Sequence, residues 1–134
     1  MTLVHYWEIK DDIDPDVWAA ICADVTRLLD RSPVWLCRAR DDIANRPHAT
    51  ADWVLLNGLD EPGADFCFYP EPAELMSCDT GGHPYDQVVC AVLAVIRDRC
   101  KAVLISSDAT TAHWMDPCNW ASAVLGRRID NPVL

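Results

Sequence analysis

Apolar residues along this chain follow two spacings, and the changes between them mark its elements. Residues 3–9, LVHYWEI, are β-branched and aromatic and predict a strand. The spacing then lengthens: Val17, Ile21, Val25 and Leu28 recur every three or four residues, with Leu29 beside them, and predict an amphipathic helix. Asp14 stands at its N-cap, Pro15 in the first helical position and Asp16 where the helix dipole favours an anion. Ile13 and Trp18 are placed to close a hydrophobic staple, and Pro33 stops the helix. VWLCRA at 34–39 predicts a weaker strand. Residues 52–57 and 64–69 read as an antiparallel pair joined through Asn57-Gly58 and the turn-rich LDEPG. AELMSCDTGG at 73–82 reads as irregular, or as one short helical turn.

The segment from Pro84 to Cys100 contains nine consecutive apolar residues, VVCAVLAVI at 88–96. Its β-branched content suits a strand, but its length suits a helix of ordinary size lying across a sheet, with Pro84 in the first turn and Arg97, Arg99 and Lys101 at the C-terminal end. KAVLISSD at 101–108 then predicts a central strand. A short helix around Asn119–Leu125, stopped by Gly126, interrupts an otherwise irregular tail. The expected order is β-α-β-β-β-α-β plus an irregular C-terminal extension. This is an α+β fold over residues 1–134 as one domain, with a mostly antiparallel sheet carrying two main helices on one face.

Charge narrows the functional classes. The net charge is −10, and between Pro47 and Ile96 there are eight carboxylates and no lysine or arginine. Nucleic acid and anionic membranes are held mainly by cations, so direct binding to either is disfavoured. An acidic face fits a basic protein partner or a metal-bound ligand, or serves solubility alone. The opening MTLVHYWEIKDD lacks the basic and apolar regions of a signal peptide, which predicts a cytoplasmic setting. The seven cysteines form no CxxC pair and are expected to be reduced, small hydrophobes. The longest apolar run is half of what a membrane helix requires.

Polar chemistry concentrates in SCDTGGHPYD, residues 77–86. A helix starting near Pro84 and returning through a tight turn into the strand ending at Ser107-Asp108 brings its own start to the same end of the domain as Asp108. Asp79, His83, Asp86 and Asp108 then stand as candidate catalytic residues, serving as acid, base and water-orienting groups or holding a hard divalent cation. No other cofactor is predicted. The structural reading stands beside it: Asp79 or Thr80 caps a turn, His83 caps the helix, and Asp86 complements its dipole. Cys78 with His83 as its base would make a nucleophile, but the surrounding carboxylates disfavour a thiolate. Gly81-Gly82 suits an anion nest or a plain turn, and the lysine of a phosphate-binding loop is missing. Trp114 and Trp120 flank the other end of the chain's polar tail and are candidates to shield the site or to bind a protein partner.

These short motifs resemble those of a family of small uncharacterised proteins found mainly in bacteriophages. That family's pattern is a strand ending Phe-Asn-Gly, an aromatic strand, Phe-Cys-Lys-Thr, a short basic gap, Pro-Tyr-Asp, an apolar helix and a strand ending Ser-Asp-Gly. The matching residues are Leu56-Asn57-Gly58, Phe66 and Phe68, Met76-Ser77-Cys78-Asp79-Thr80, His83-Pro84-Tyr85-Asp86 and Ser107-Asp108. The similarity covers about half of the chain. It implies a phage gene product acting in the host cytoplasm. Asp79 stands where the pattern has lysine, Gly81-Gly82-His83 where it is basic, and Ala109 where it has glycine, so an anion-binding role of relatives would be weakened here.

Two functions follow as expectations. The first is a small cytoplasmic accessory protein that binds a host or viral protein, or a second copy of itself, through an acidic and aromatic surface. The second is a small hydrolase or nuclease-like enzyme using Asp79, His83, Asp86 and Asp108, with Asn57, Cys78, Thr80 and Tyr85 as ligand-binding or supporting contacts.

Overall fold

The computed structural model describes all 134 residues and has an α+β architecture. β1 (Val4–Ile9) lies at the centre of a three-stranded antiparallel sheet, between β6 (Ala73–Asp79) and β7 (Val103–Ser107). A second antiparallel sheet is built around β4 (Val54–Gly58), which pairs with β2 (Leu36–Cys37), β3 (His48–Ala49) and β5 (Phe66–Phe68). Three helices complete the fold: α1 (Pro15–Asp30), α2 (Asp86–Arg99) and α3 (Thr111–Leu125). No helix is long and apolar enough to cross a membrane.

α1 forms for the reasons visible in its sequence. The Asp14 side chain accepts from the backbone N–H of Asp16 and Val17, which satisfies two donors that have no partner inside the helix. Trp18, Ile21, Val25 and Leu28 turn inward. α2 is buried along most of its length, from Val88 to Ile96, because α1, α3 and β7 all cover it. One cluster of 29 buried apolar residues runs through both sheets, so they share a core rather than forming separate units. Aromatic contacts join them: the Trp7 ring of β1 meets Phe66 at 5.2 Å and Phe68 at 5.7 Å, and Trp18 of α1 stacks on Phe68 at 5.8 Å.

The expected single sheet is divided into two, with a short extra strand, β3, in a segment without strand signals, and three further departures from the expected order have physical causes. Residues 73–79 form β6 rather than an irregular stretch. Glu74, Leu75 and Met76 are helix formers, but pairing with β1, in register from Val4 opposite Asp79 to Trp7 opposite Met76, overrides that local preference. β7 is an edge strand rather than a central one. The chain end partly covers its free side, where Val133 bridges to Ile105 and the Leu134 N–H donates to the Ile105 carbonyl. The C-terminal segment is a 15-residue third helix rather than an irregular extension. Thr110 caps it by accepting from the His113 N–H, Gly126 ends it at φ +71°, and Pro117 lies inside it. That proline, itself buried, removes only the hydrogen bond to the carbonyl of exposed His113.

The far ends of the helices are tied by charge. Buried Asp24 of α1 pairs with Arg99 at 2.5 Å and Arg127 at 2.7 Å, and Arg127 also reaches Asp98 at 3.2 Å. Burial alone would raise the Asp24 pKa, but the two guanidinium groups outweigh it and the pKa is lowered. A carboxyl that is more acidic when folded contributes stability that is complete above its unfolded value, about 3.9, and lost as pH falls through its folded one. Urea midpoints measured from pH 6 downward should therefore drop in that acid range, and Asp24→Asn should flatten the drop. An unchanged slope in Asp24→Asn would refute the assignment.

Candidate functional site

The polar motif at 77–86 divides between two places. One is buried and centres on Asp86, the first residue of α2. Asp86 Oδ1 accepts from His5 Nε2 at 2.6 Å and Thr80 Oγ1 at 2.5 Å, while Oδ2 meets His113 Nε2 at 2.5 Å and Cys90 Sγ at 3.5 Å. A carboxylate has about four acceptor positions, and all are used here. The donors come from β1, the turn after β6, the first turn of α3 and the next turn of α2. On the far side of the His5 ring, Nδ1 lies 2.7 Å from Ser107 Oγ at the end of β7. The edge of Trp114 closes over His5, with ring centroids 5.3 Å apart.

Protonation states follow from this geometry. Burial opposes ionisation of Asp86, but hydrogen bonds from His5, Thr80 and His113 win and hold its pKa at about 2. An ionised carboxylate only accepts, so both Nε2 atoms must carry hydrogen. In the tautomer that carries its one hydrogen on Nε2, His5 presents an unprotonated Nδ1 to which Ser107 Oγ–H can donate. The result is a hydroxyl–imidazole–carboxylate line with the polarity that a general base needs. Cys90 remains a thiol, because burial and then the Asp86 charge push its pKa up.

The second place is an open cavity of about 490 Å³, lined by Asp79, His83, Asp65, Arg40, Gly81 and the Gly63–Ala64 loop. Asn57, Cys78 and Tyr85 hold the Gly63–Ala64 loop from behind rather than lining this cavity, and Tyr85 lines a separate one beside Trp35. The Asn57 amide donates to the Gly63 carbonyl at 3.0 Å and accepts from the Gly63 N–H at 3.1 Å, Tyr85 Oη donates to the Ala64 carbonyl at 2.6 Å, and Cys78 Sγ points to the same carbonyl. Gly63 has to be glycine: a Cβ would sit 2.4 Å from Tyr85 Oη and 2.7 Å from the Thr80 carbonyl.

The four carboxylate and imidazole groups singled out in sequence do not converge. Asp86 is interior and His83 is exposed. Asp79 accepts from the backbone N–H of Leu3 and Gly81, which lower its pKa and mark it as a turn cap. Asp108 accepts from the Val4 N–H at 3.2 Å on the surface. Thr80 does join Asp86. Cys78 is raised to about 12, mainly by burial, and is no thiolate nucleophile. Gly81 and Gly82 take positive φ, +63° and +71°, but their N–H groups donate to Asp79 and Thr80, so they form a turn and not an anion nest. Trp114 is 1% exposed and cannot be a contact surface, and Trp120 packs half-buried against the core. The exposed indole is Trp35, at 77%.

His5, Cys90, Ser107 and His113 were not singled out. His5 alternates inward with Trp7 and Ile9 along β1, which places it on the core face, where a histidine needs partners. Cys90 lies four residues after Asp86 and so on the same face of α2.

His5, Asp86 and Cys90 each bring a ligand atom within 4.8 Å of the others, so this buried group could hold a metal ion. Comparison with protein-family models, curated proteins and solved structures finds no match to this chain.

Removing the carboxylate would leave two imidazoles and a hydroxyl facing an empty space. Asp86→Ala should destabilise the fold by about 2–5 kcal/mol in urea unfolding, since it leaves the buried donors of His5 and Thr80 unsatisfied. A loss under about 1 kcal/mol would show that the cluster is dispensable to the fold.

Proposed function

We propose that this is a small acidic accessory protein that binds a basic segment of another protein at the surface around Trp35. The observation that carries this reading is Trp35 itself. Its backbone is fixed, since the Leu59 N–H donates to the Trp35 carbonyl at 3.0 Å, while its side chain is 77% exposed. A tryptophan presented from a held backbone offers a large apolar surface at the cost of ordering only two side-chain torsions. Two cavities flank it. One, of about 360 Å³, is bounded by Pro33, Pro84, Asp60 and Glu61, and the other, of about 610 Å³, by Leu29, Leu36, Pro47 and Asp30.

Asp60 and Glu61 on one side of the aromatic anchor match a partner with an aliphatic or aromatic residue next to a lysine or arginine, while on the other side Asp30 is already paired with Arg46 at 3.9 Å. The net charge of −10 makes a second copy the poorer occupant, since like charges oppose self-association. On the resemblance of its motifs to those of phage proteins, the partner would be a host or viral protein in the host cytoplasm.

An Arg/Leu-rich peptide and its Glu/Leu counterpart, each fluorescently labelled, would test this by anisotropy. The basic peptide should bind, more weakly as salt rises, and the acidic one should not. Trp35→Ala should lower affinity at least about 30-fold, as a hot spot of about 2 kcal/mol requires. Equal affinity of wild type and variant would overturn the reading. A dimer that Trp35→Ala dissociates would assign the surface to a second copy instead.

One observation supports a second reading, hydrolysis. The Ser107–His5–Asp86 line has contacts of 2.7 and 2.6 Å and the correct donor direction for a nucleophile, its base and the group that orients the base. It ranks second because Ser107 lines none of the five cavities whose walls are described above or border the Trp18 and Trp114 side chains. Activated ester hydrolysis that disappears in Ser107→Ala, with folding intact, would promote this reading. Equal rates in both proteins would remove it.

A further inference from the structure

We infer that His5, Asp86 and Cys90, joined by His113 on binding, form a binding site for one divalent ion of the zinc class. This inference is independent of the Trp35 surface. Ligands 2.0–2.3 Å from a tetrahedral ion lie roughly 3.3–3.7 Å from one another. Cys90 Sγ is 3.4 Å from His5 Nε2 and 3.5 Å from Asp86 Oδ2, separations that already match edges of such a tetrahedron. The contacts of Asp86 with His5, 2.6 Å, and with His113, 2.5 Å, are hydrogen bonds in which a proton holds the place that an ion would take. The two contacts use different oxygens, Oδ1 for His5 and Oδ2 for His113, and only His5, Asp86 and Cys90 have ligand atoms all within 4.8 Å of one another, so on binding His113 must move toward that group as well as away from Asp86. His113, whose side chain is 37% exposed, stands at the solvent side and can swing aside to admit the ion.

The groups behind the ligands suit the same chemistry. A metal-bound imidazole usually donates its other N–H to an oxygen, and Ser107 Oγ is placed to accept from His5 Nδ1. Thr80 Oγ1 donates to the Asp86 carboxylate, as outer partners of ligating carboxylates do. On binding, the His5 proton moves from Nε2 to Nδ1, the His113 proton moves likewise, and Cys90 releases its proton to solvent. One proton is set free per ion, and the charges of Asp86 and Cys90 neutralise the ion inside the core. Thiolate and imidazole donors select zinc, cobalt or iron over magnesium and calcium, which require mostly oxygen ligands. The hard-cation site expected from Asp79, His83, Asp86 and Asp108 is thereby replaced by a softer one built on Asp86 alone of those four.

The test is a Co²⁺ titration of the chelator-treated full chain, followed by visible absorption and by the near-ultraviolet thiolate-to-cobalt band. One equivalent should bind with tetrahedral absorption and a thiolate band. Zn²⁺ should displace it, and millimolar Mg²⁺ should not. Cys90→Ser should lose the thiolate band. His113→Ala, altered on an exposed turn and checked by circular dichroism, should bind more weakly. Ser107→Ala and Thr80→Val should each weaken binding about 10–100-fold, whereas His83→Ala should bind as wild type does. Absence of the band from folded wild-type protein would overturn the proposal, as would its persistence in Cys90→Ser or an unchanged affinity in His113→Ala.

Discussion

The arrangement around Asp86 rests on one constraint, a negative charge placed inside a protein core. An isolated buried carboxylate is unaffordable to a domain with ordinary stability, so it must recruit donors until its acceptor sites are filled. Here those donors come from β1, the turn following β6, α2 and α3, and Ser107 extends the line to β7. The hydrogen bonds have direction and fixed length, unlike the apolar contacts around them. They therefore specify how the first strand, the buried helix and the third helix sit relative to one another, where hydrophobic burial alone would tolerate sliding. Asp86 also occupies the first turn of α2, where the helix dipole favours its charge.

Elements with local causes were legible in the sequence. The Asp14 cap and the three-to-four spacing of Ile21, Val25 and Leu28 define α1, and the length of the apolar run defines α2. The pairing of β4 with β5 followed from two short strands and a turn between them. What was not legible depends on distant partners. β6 is composed of helix formers and is a strand because β1 lies beside it. The second half of α3, residues 119–125 ending at Gly126, was legible, but its first half, N-terminal to Pro117, was not.

The site shows the same division. That 77–86 and the end of the 101–108 strand share one end of the molecule followed from chain direction alone, and the His5 ring does lie between Asp86 and Ser107. Which side chains turn toward each other did not follow. Asp79 and Asp86 are seven positions apart, yet one caps a turn beside an open cavity and the other is sealed in the core. His5 is 81 positions from Asp86, and nothing near it in sequence announces a partner. A histidine alternating with Trp7 and Ile9 on an inward strand face was the one available signal. A buried imidazole in such a position calls for a search along the rest of the chain for its acid.

The central position of β1 has a consequence for how the molecule acquires its structure. Its neighbours, β6 and β7, lie more than sixty and more than ninety residues further along the chain, so neither side of that strand can be satisfied by nearby sequence. The pairings that close its sheet are all of high contact order, and such topologies fold slowly because long loops must close before any contact rewards them. A ribosome emitting this chain would hold out a strand with two open edges until most of the protein had been made. The inward histidine on that strand, without its acid until α2 arrives, would make the early chain a poor match for hydrophobic collapse. The polar core would then act in time as well as in space, discouraging β1 from burying itself before its true neighbours exist.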